Sequence, residues 1–215
     1  MKRRNGFALL KEKEREARRK IIIEAAERVF AAKPFDKVSM RDIAKEADIS
    51  PASIYTYFAD QEALFVEASL RGTRNMLKQF KASMQDSGEH SLERAAEAFI
   101  QYLTEHDIYF RMMAHFMLHA QVNPASVERL NAVERELLDV FDGAFKELHV
   151  KGNVRLLSHV FFAALNGILI SFRKYPGRSE ADVVAHMNRL ARMLAEVFTA
   201  GTVKAEPKRG RGKSS

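Results

Sequence analysis

Residues 38–65 read VSMRDIAKEADISPASIYTYFADQEALF, and this stretch decides the fold. Ser39 can cap a helix with its hydroxyl, and Asp42 stands three residues on, where the acidic partner of a capping box belongs. The helix so started carries Ile43, Ala44 and Ala47. Asp48 falls where the chain must turn, and Asp is one of the few side chains that tolerate a left-handed backbone. Ser50 followed by Pro51 is a second start signal, a hydroxyl cap with proline at the first helical position. Ile43, Ala44, Ala47, Ile49, Ile54 and Phe58 can close into a small core, and the short side chain of Ala44 admits a close helix crossing. Two short helices about a tight turn are the geometry of a helix-turn-helix, whose second helix enters the major groove of DNA.

Working outward, Ile22, Ala26, Val29 and Phe30 share one helical face upstream, and Pro34 ends that helix near Ala32. Before it, KEKEREARRK (11–20) interleaves both charges, as a solvated helix start or a phosphate-contacting arm would. Downstream, Asp60 caps a longer helix bearing Leu64, Phe65, Ala68, Met76 and Phe80. Gly72 inside it marks either close packing or a weak point. QDSGEH (85–90) is a break, after which Ser91 opens a helix through Leu103. A shorter aromatic and methionine-rich segment follows His106-Asp107, and Asn123-Pro124 caps the next helix, which ends at Gly152-Asn153. Two final helices, about 154–175 and 179–199, are joined by YPGR, with Ser179 and Asp182 as another capping box. No strand alternation or internal repeat is visible, so the expected fold class is all-α.

The run AAERVFAAKPFDKVSMRDIAKEADISPASIYTYFADQEALF (25–65) resembles the N-terminal signature of the TetR family of one-component transcriptional repressors. The matching residues are Ala26, Phe30, Phe35, Ser39, Ile43, Ala44, Ala47, Ser50, Ile54, Tyr55, Tyr57, Phe58, Leu64 and Phe65, and the pattern covers roughly residues 20 to 66. The resemblance implies an N-terminal three-helix helix-turn-helix DNA-binding domain (15–65) and a larger helical ligand-binding and dimerisation domain (66–200). A basic tail (201–215), without an apolar anchor, is expected to be disordered. Two positions depart from the family pattern. Asp48 stands where the family has glycine. Gln61 stands where it has a lysine that touches a phosphate, so one backbone contact is expected to be weakened or moved.

Composition narrows the function classes. The chain has 215 residues, a hydrophobic share of 47% and no cysteine, which excludes disulfides, thiolate metal sites and cysteine redox chemistry. No window is read as long enough and apolar enough for a membrane span, and the charged N-terminus has no signal-peptide core, so no membrane partner and a cytoplasmic location are expected. The net charge of +7 sits in the two ends: residues 1–20 hold nine Lys/Arg against three Glu, and residues 201–215 five against one. Residues 21–60 hold five basic and seven acidic side chains. The DNA reading therefore rests on motif geometry, not on charge.

The candidate DNA contacts are Ser39 and Arg41 for the flanking backbone, and Ser50, Pro51, Ala52, Ser53, Tyr55, Thr56 and Tyr57 in the reading helix. Ala52, Ser53 and Thr56 are small enough to reach base edges. The tyrosines resemble the family's phosphate-contacting tyrosines. Phe58 reads as core, and Tyr57 as either. The partner is double-stranded operator DNA, and one such helix contacts too little of it, so a homodimer through the last two helices is expected. Ala163, Ala164 and Gly167 would let those helices approach closely.

The central region supplies candidate effector contacts: Phe99, Tyr102, His106, Met113, Phe116, Met117, Phe141, Phe145, Phe161, Phe162, Leu165 and Asn166. Such a set suits a hydrophobic small-molecule effector, and each member also reads as ordinary core. No cofactor is expected. A metal-responsive regulator would use His115 and His119, four apart on one helical face. A DNA-binding protein with no effector is a further alternative. An enzyme is not expected, because HFMLH lacks the glutamate of the zinc-hydrolase helix and there is no phosphate loop or nucleophile elbow.

Overall fold

The computed structural model describes residues 6–85, 92–119, 123–150 and 152–203. Among the described residues there are nine α-helices, one 3-10 turn and no strand: α1 (Gly6–Ala32), the turn Phe35–Lys37, α2 (Met40–Glu46), α3 (Pro51–Ile54), α4 (Gln61–Gln85), α5 (Leu92–Glu105), α6 (Asp107–His119), α7 (Pro124–Glu147), α8 (Val154–Phe172) and α9 (Glu180–Val203). The chain forms two compact units. The first comprises the residues up to Arg74 with His106–Val133, and the second Asn75–Glu105 with the residues from Glu134 onward.

The first unit is built by its caps and a small core. The Ser39 hydroxyl accepts the Asp42 N–H at 3.2 Å while Asp42 Oδ2 accepts the Ser39 N–H at 3.0 Å, so the capping box closes in both directions. Asp48 takes φ +53°, the left-handed turn that its side chain was expected to bear. The Ile49 N–H then donates to the Ala44 carbonyl at 3.0 Å, and Ser50 accepts the Ser53 N–H at 3.1 Å to start α3. Asp60 Oδ1 accepts the Ala63 N–H at 2.7 Å at the head of α4. Beneath these turns Ala26, Phe30, Ile43, Ala44, Ile54, Phe58, Leu64 and Phe65 are buried together. Burial of each large side chain among them contributes about 1.5–3 kcal/mol.

The compact units do not divide at residue 65. α6 joins the first: Met112 is buried in the same core, and Phe116 and His115 lie 5.1 Å from Phe65 and 4.5 Å from Phe35. Arg111 Nη2 donates to the carbonyls of Phe30 and Ala31 at 3.0 and 2.7 Å, closing the C-terminus of α1. Gly72 is a site of close packing, because the Tyr109 ring occupies the space a Cβ would need. α1 begins at Gly6. The proposed Ser91 cap, most of the 85–90 break and the tail beyond Val203 lie outside the described residues.

In the second unit α9 packs along α5 and beside α8. Its core is a run of rings in edge contact: Phe99–Phe141 at 6.2 Å, Phe141–Phe161 at 5.3 Å and Phe161–Phe198 at 5.3 Å. The expectation that no stretch is long and apolar enough to span a membrane is corrected here. Val154–Phe172 has 19 residues and a mean hydropathy of 1.6, sufficient by length and composition. Ser158, His159, Asn166 and Gly167 interrupt the run to the eye but do not lower its average enough.

Candidate nucleic-acid interface

α3 is a single turn of helix, and its continuation is held by local bonds. Thr56 N–H donates to Ser53 O at 3.1 Å, Tyr57 N–H to Ile54 O at 3.0 Å and Phe58 N–H to Ile54 O at 3.0 Å. Ile54 and Phe58 point inward and are buried. That inward pair turns Ser50, Pro51, Ala52, Ser53, Tyr55 and Thr56 to solvent, with Tyr57 half-buried; Ser39 and Arg41 are exposed at the start of α2. Tyr55 is 57% exposed. The Ser50 and Ser53 hydroxyls lie 2.7 Å apart, so one donates to the other and a lone pair and a proton remain for an outside partner.

Sequence reasoning missed the side chains that hold this element. Arg19, placed in the solvated lead-in, donates from Nη1 to the Tyr57 carbonyl at 3.2 Å and lies 4.6 Å over the Phe58 ring. Its neighbour Arg18 has its pKa raised, first by the hydrogen bond to Glu14 and its charge, then by the Tyr57 phenol. Gln61, where a lysine was expected, turns inward and donates to the Phe35 carbonyl at 2.9 Å. Asp42 is held down to about 2 by hydrogen bonds from Lys33, then from the Ser39 hydroxyl and N–H. Glu27 is pushed upward by burial, against the pull of Arg71 and the Tyr109 hydroxyl.

The candidate effector residues separate. His106, Met113, Phe116 and Met117 belong to the first unit, where Phe116 packs on the head core and Met117 is 47% exposed. Phe99, Tyr102, Phe141, Phe145, Phe161, Phe162, Leu165 and Asn166 are all buried in the second unit. Asn166 Nδ2 donates to Phe162 O at 2.8 Å, and its buried Oδ1 has no hydrogen-bond partner among the described residues. The ring of His115 packs against Phe35 and Phe65, and the side chain of His119 lies outside the described residues. No group of three metal-ligating side chains occurs among the described residues.

A capped two-helix turn presenting one exposed polar face above a buried core is a helix-turn-helix DNA-binding head. Residues 22–68 match the family model of bacterial regulatory proteins, tetR family. The match is confined to the N-terminal domain, which is similar to that of TetR-family regulators. It is 29% identical over 105 residues, 46% of this chain, to an uncharacterized HTH-type transcriptional regulator of Haemophilus influenzae, and spans half the length of that relative. A solved TetR-family regulator from Mesorhizobium loti has a TM-score of 0.67 at 21% identity, covering 85% of this chain and 97% of that one. Bacillus subtilis FadR, solved in complex with stearoyl-CoA, has a TM-score of 0.66 at 18% identity, covering 81% and 96%. The two structural likenesses establish the fold: all-α, with an N-terminal helix-turn-helix domain.

Proposed function

We propose that the chain is a DNA-binding transcriptional regulator, a homodimeric repressor released from a palindromic operator by a hydrophobic small molecule. The observation that carries the DNA reading is the face Ser50–Thr56: small polar side chains and Tyr55 exposed together on a turn that buried Ile54 and Phe58 hold in place. Ala52, Ser53 and Thr56 contact base edges, while Ser39, Arg41, Tyr55 and Tyr57 contact phosphates. Dimerisation is supported by one stripe on α8, where Leu156, Val160, Ala163, Gly167 and Ile170 are exposed, and by exposed Met193 and Val197 on α9. Two copies joined there place two heads on two half-sites.

The effector reading rests on the second unit. Its phenylalanine-rich interior suits an apolar molecule. The unpartnered Asn166 oxygen, which costs about 1–3 kcal/mol when buried unsatisfied, offers that molecule one acceptor. A long acyl chain with a polar head is the class we favour, in keeping with the stearoyl-CoA held by FadR. A molecule that binds the DNA-incompetent conformation more tightly releases DNA by population shift.

Selection of duplexes from a random pool by the purified full-length chain, followed by native mass spectrometry, tests both parts. Enrichment of a palindrome bound by two subunits supports the regulator. Enrichment of nothing sinks it. Loss of the bound duplex on adding acyl-coenzyme A supports the effector class, and indifference to any apolar ligand favours a regulator without effector.

A further inference from the structure

We propose that Arg19 is a positioning residue for DNA reading, and that Arg129 controls it through a carboxylate oxygen that both arginines share. This rests on α3 and the turn after it being the reading element. Every residue involved lies in the first unit. Arg19 on α1 holds the Tyr57 carbonyl at 3.2 Å and covers the Phe58 ring, so it fixes the backbone from which Tyr55, Thr56 and Tyr57 project. Its Nη2 stands 3.5 Å from Glu67 Oε1 on α4. The same oxygen accepts from Arg129 Nη2 on α7 at 2.6 Å.

Two cations on one oxygen compete. At 2.6 Å Arg129 has the short charge-assisted bond, and at 3.5 Å Arg19 has only a Coulombic one. Arg19 is thereby left to the Tyr57 carbonyl. Remove Arg129 and Glu67 Oε1 becomes the stronger acceptor for Arg19, which is drawn toward α4 and off the carbonyl. The asymmetry of exposure sets which partner leaves first: the side chains of Glu67 and Arg19 are 17% and 24% exposed, that of Arg129 47%. Solvent screens and replaces the outer arginine more readily.

The start of α7 is tied to α4 at a second point. Glu62 Oε1 accepts from the N–H and Nδ2 of Asn123, at 3.0 and 3.2 Å. A displacement of the first turns of α7 along α4 therefore strains the Asn123 tie and opens the Arg129–Glu67 bond together. Glu67 then captures Arg19, and the reading turn loses its hold. The contacts form one continuous path from α7 to Tyr57, which is what coupling between the two requires.

Two arms on the full-length chain test this. Without DNA, amide NMR spectra of Thr56–Ala59 are compared for wild type, Arg129→Met, Glu67→Gln and the double variant. Arg129→Met is expected to move the Tyr57 and Phe58 resonances, and Glu67→Gln to abolish that effect. Equal shifts in both backgrounds overturn the relay. With DNA, the duplex enriched by wild type is compared with a scrambled one. Arg19→Met is expected to weaken the enriched duplex about fivefold more than the scrambled one. Arg19→Lys recovers little, because an ammonium lacks the planar guanidinium that bonds the Tyr57 carbonyl while lying over the Phe58 ring. Equal weakening on both duplexes, with the salt slope reduced by about one, would make Arg19 a phosphate contact and overturn the proposal. A wild-type chain that enriches no duplex overturns the DNA-reading premise, and the first arm, needing no DNA, tells that failure from failure of the relay.

Discussion

The Tyr109 ring lies across Gly72, so that a Cβ built at residue 72 would fall 2.2 Å from Tyr109 Cδ1. Tyr109 is itself fixed, its hydroxyl donating to Glu27 at 3.2 Å. In an exposed helix interior Gly→Ala stabilises by roughly 1 kcal/mol. Here the sign reverses, because the ring must move and give up its partner. Gly72→Ala is expected to destabilise by about 1–3 kcal/mol, the usual cost of overpacking. In a Tyr109→Ala background the same substitution regains its normal stabilising sign. Urea denaturation of the four proteins checks this, and a stabilising Gly72→Ala in the wild-type background would refute the packing account.

Asp42 gives a pH signature. Lys33 and Ser39 hold its carboxyl at about 2, below the ordinary value of 3.8. A depressed folded-state pKa means that the contribution is complete above the unfolded value, near 4, and is lost as pH falls toward 2. Asp42→Asn keeps the size of the side chain and removes the titration. The stability difference between wild type and Asp42→Asn is therefore expected to be largest above pH about 5, to shrink as pH falls toward 2, and to vanish only below it. A difference independent of pH would assign the effect to helix propensity instead.

These two cases show what was legible in the sequence. Capping is local: Ser39 with Asp42, Ser50 with Pro51, Asp60, Asn123, and Ser179 with Asp182 start helices where their spacing predicts. Chain breaks at Pro34 and His106 are local too. What was not legible is which helix packs on which. The apolar pattern of α6 says that Met112 and Phe116 are buried but not against what, and the structure places them on the head core. Arg19 was hidden for the opposite reason. In a run of alternating charge nothing distinguishes the one arginine that reaches a carbonyl 38 residues away.

Asp48 tests a departure that the turn tolerates at a cost. Its φ of +53° is a conformation glycine adopts freely and an L residue pays about 1–2 kcal/mol to hold, Asp less than most. Asp48→Gly is expected to be neutral or stabilising by up to about 1 kcal/mol, and Asp48→Val to destabilise by more than that. Thermal unfolding of both variants decides it. A destabilising glycine would mean that the Asp48 side chain makes a contact worth more than the strain.

The exposed apolar stripe of α8 predicts an assembly. Val160 is 50% and Ile170 58% exposed, with Met193 at 61% on α9. Val160→Arg combined with Met193→Arg is expected to give a monomer in analytical ultracentrifugation with the helical content retained. Selective DNA affinity should then fall by at least about 100-fold, since each half-site is bound alone. A dimer that survives both charges places the interface elsewhere.

The division of labour within the reading element is tested by Thr56 and Tyr57. Thr56 is exposed and carries a methyl and a hydroxyl, the two groups that discriminate base edges in the major groove. Tyr57 is half-buried, with its backbone carbonyl held by Arg19 and Arg18 near its phenol. Its ring packs against the head core, and the proposed function gives its hydroxyl a phosphate. Tyr57→Phe should therefore weaken enriched and scrambled duplexes alike, by about 1 kcal/mol, the usual contribution of one hydrogen bond. Thr56→Ala should cost about 1–3 kcal/mol on the enriched duplex and little on the scrambled one, changing the preferred base at one position per half-site. Fluorescence anisotropy of both variants on both duplexes at two salt concentrations separates the cases. If Thr56→Ala weakens the two duplexes equally, base reading belongs to Ala52 and Ser53 on the first turn, and the residues after Ile54 only grip the backbone.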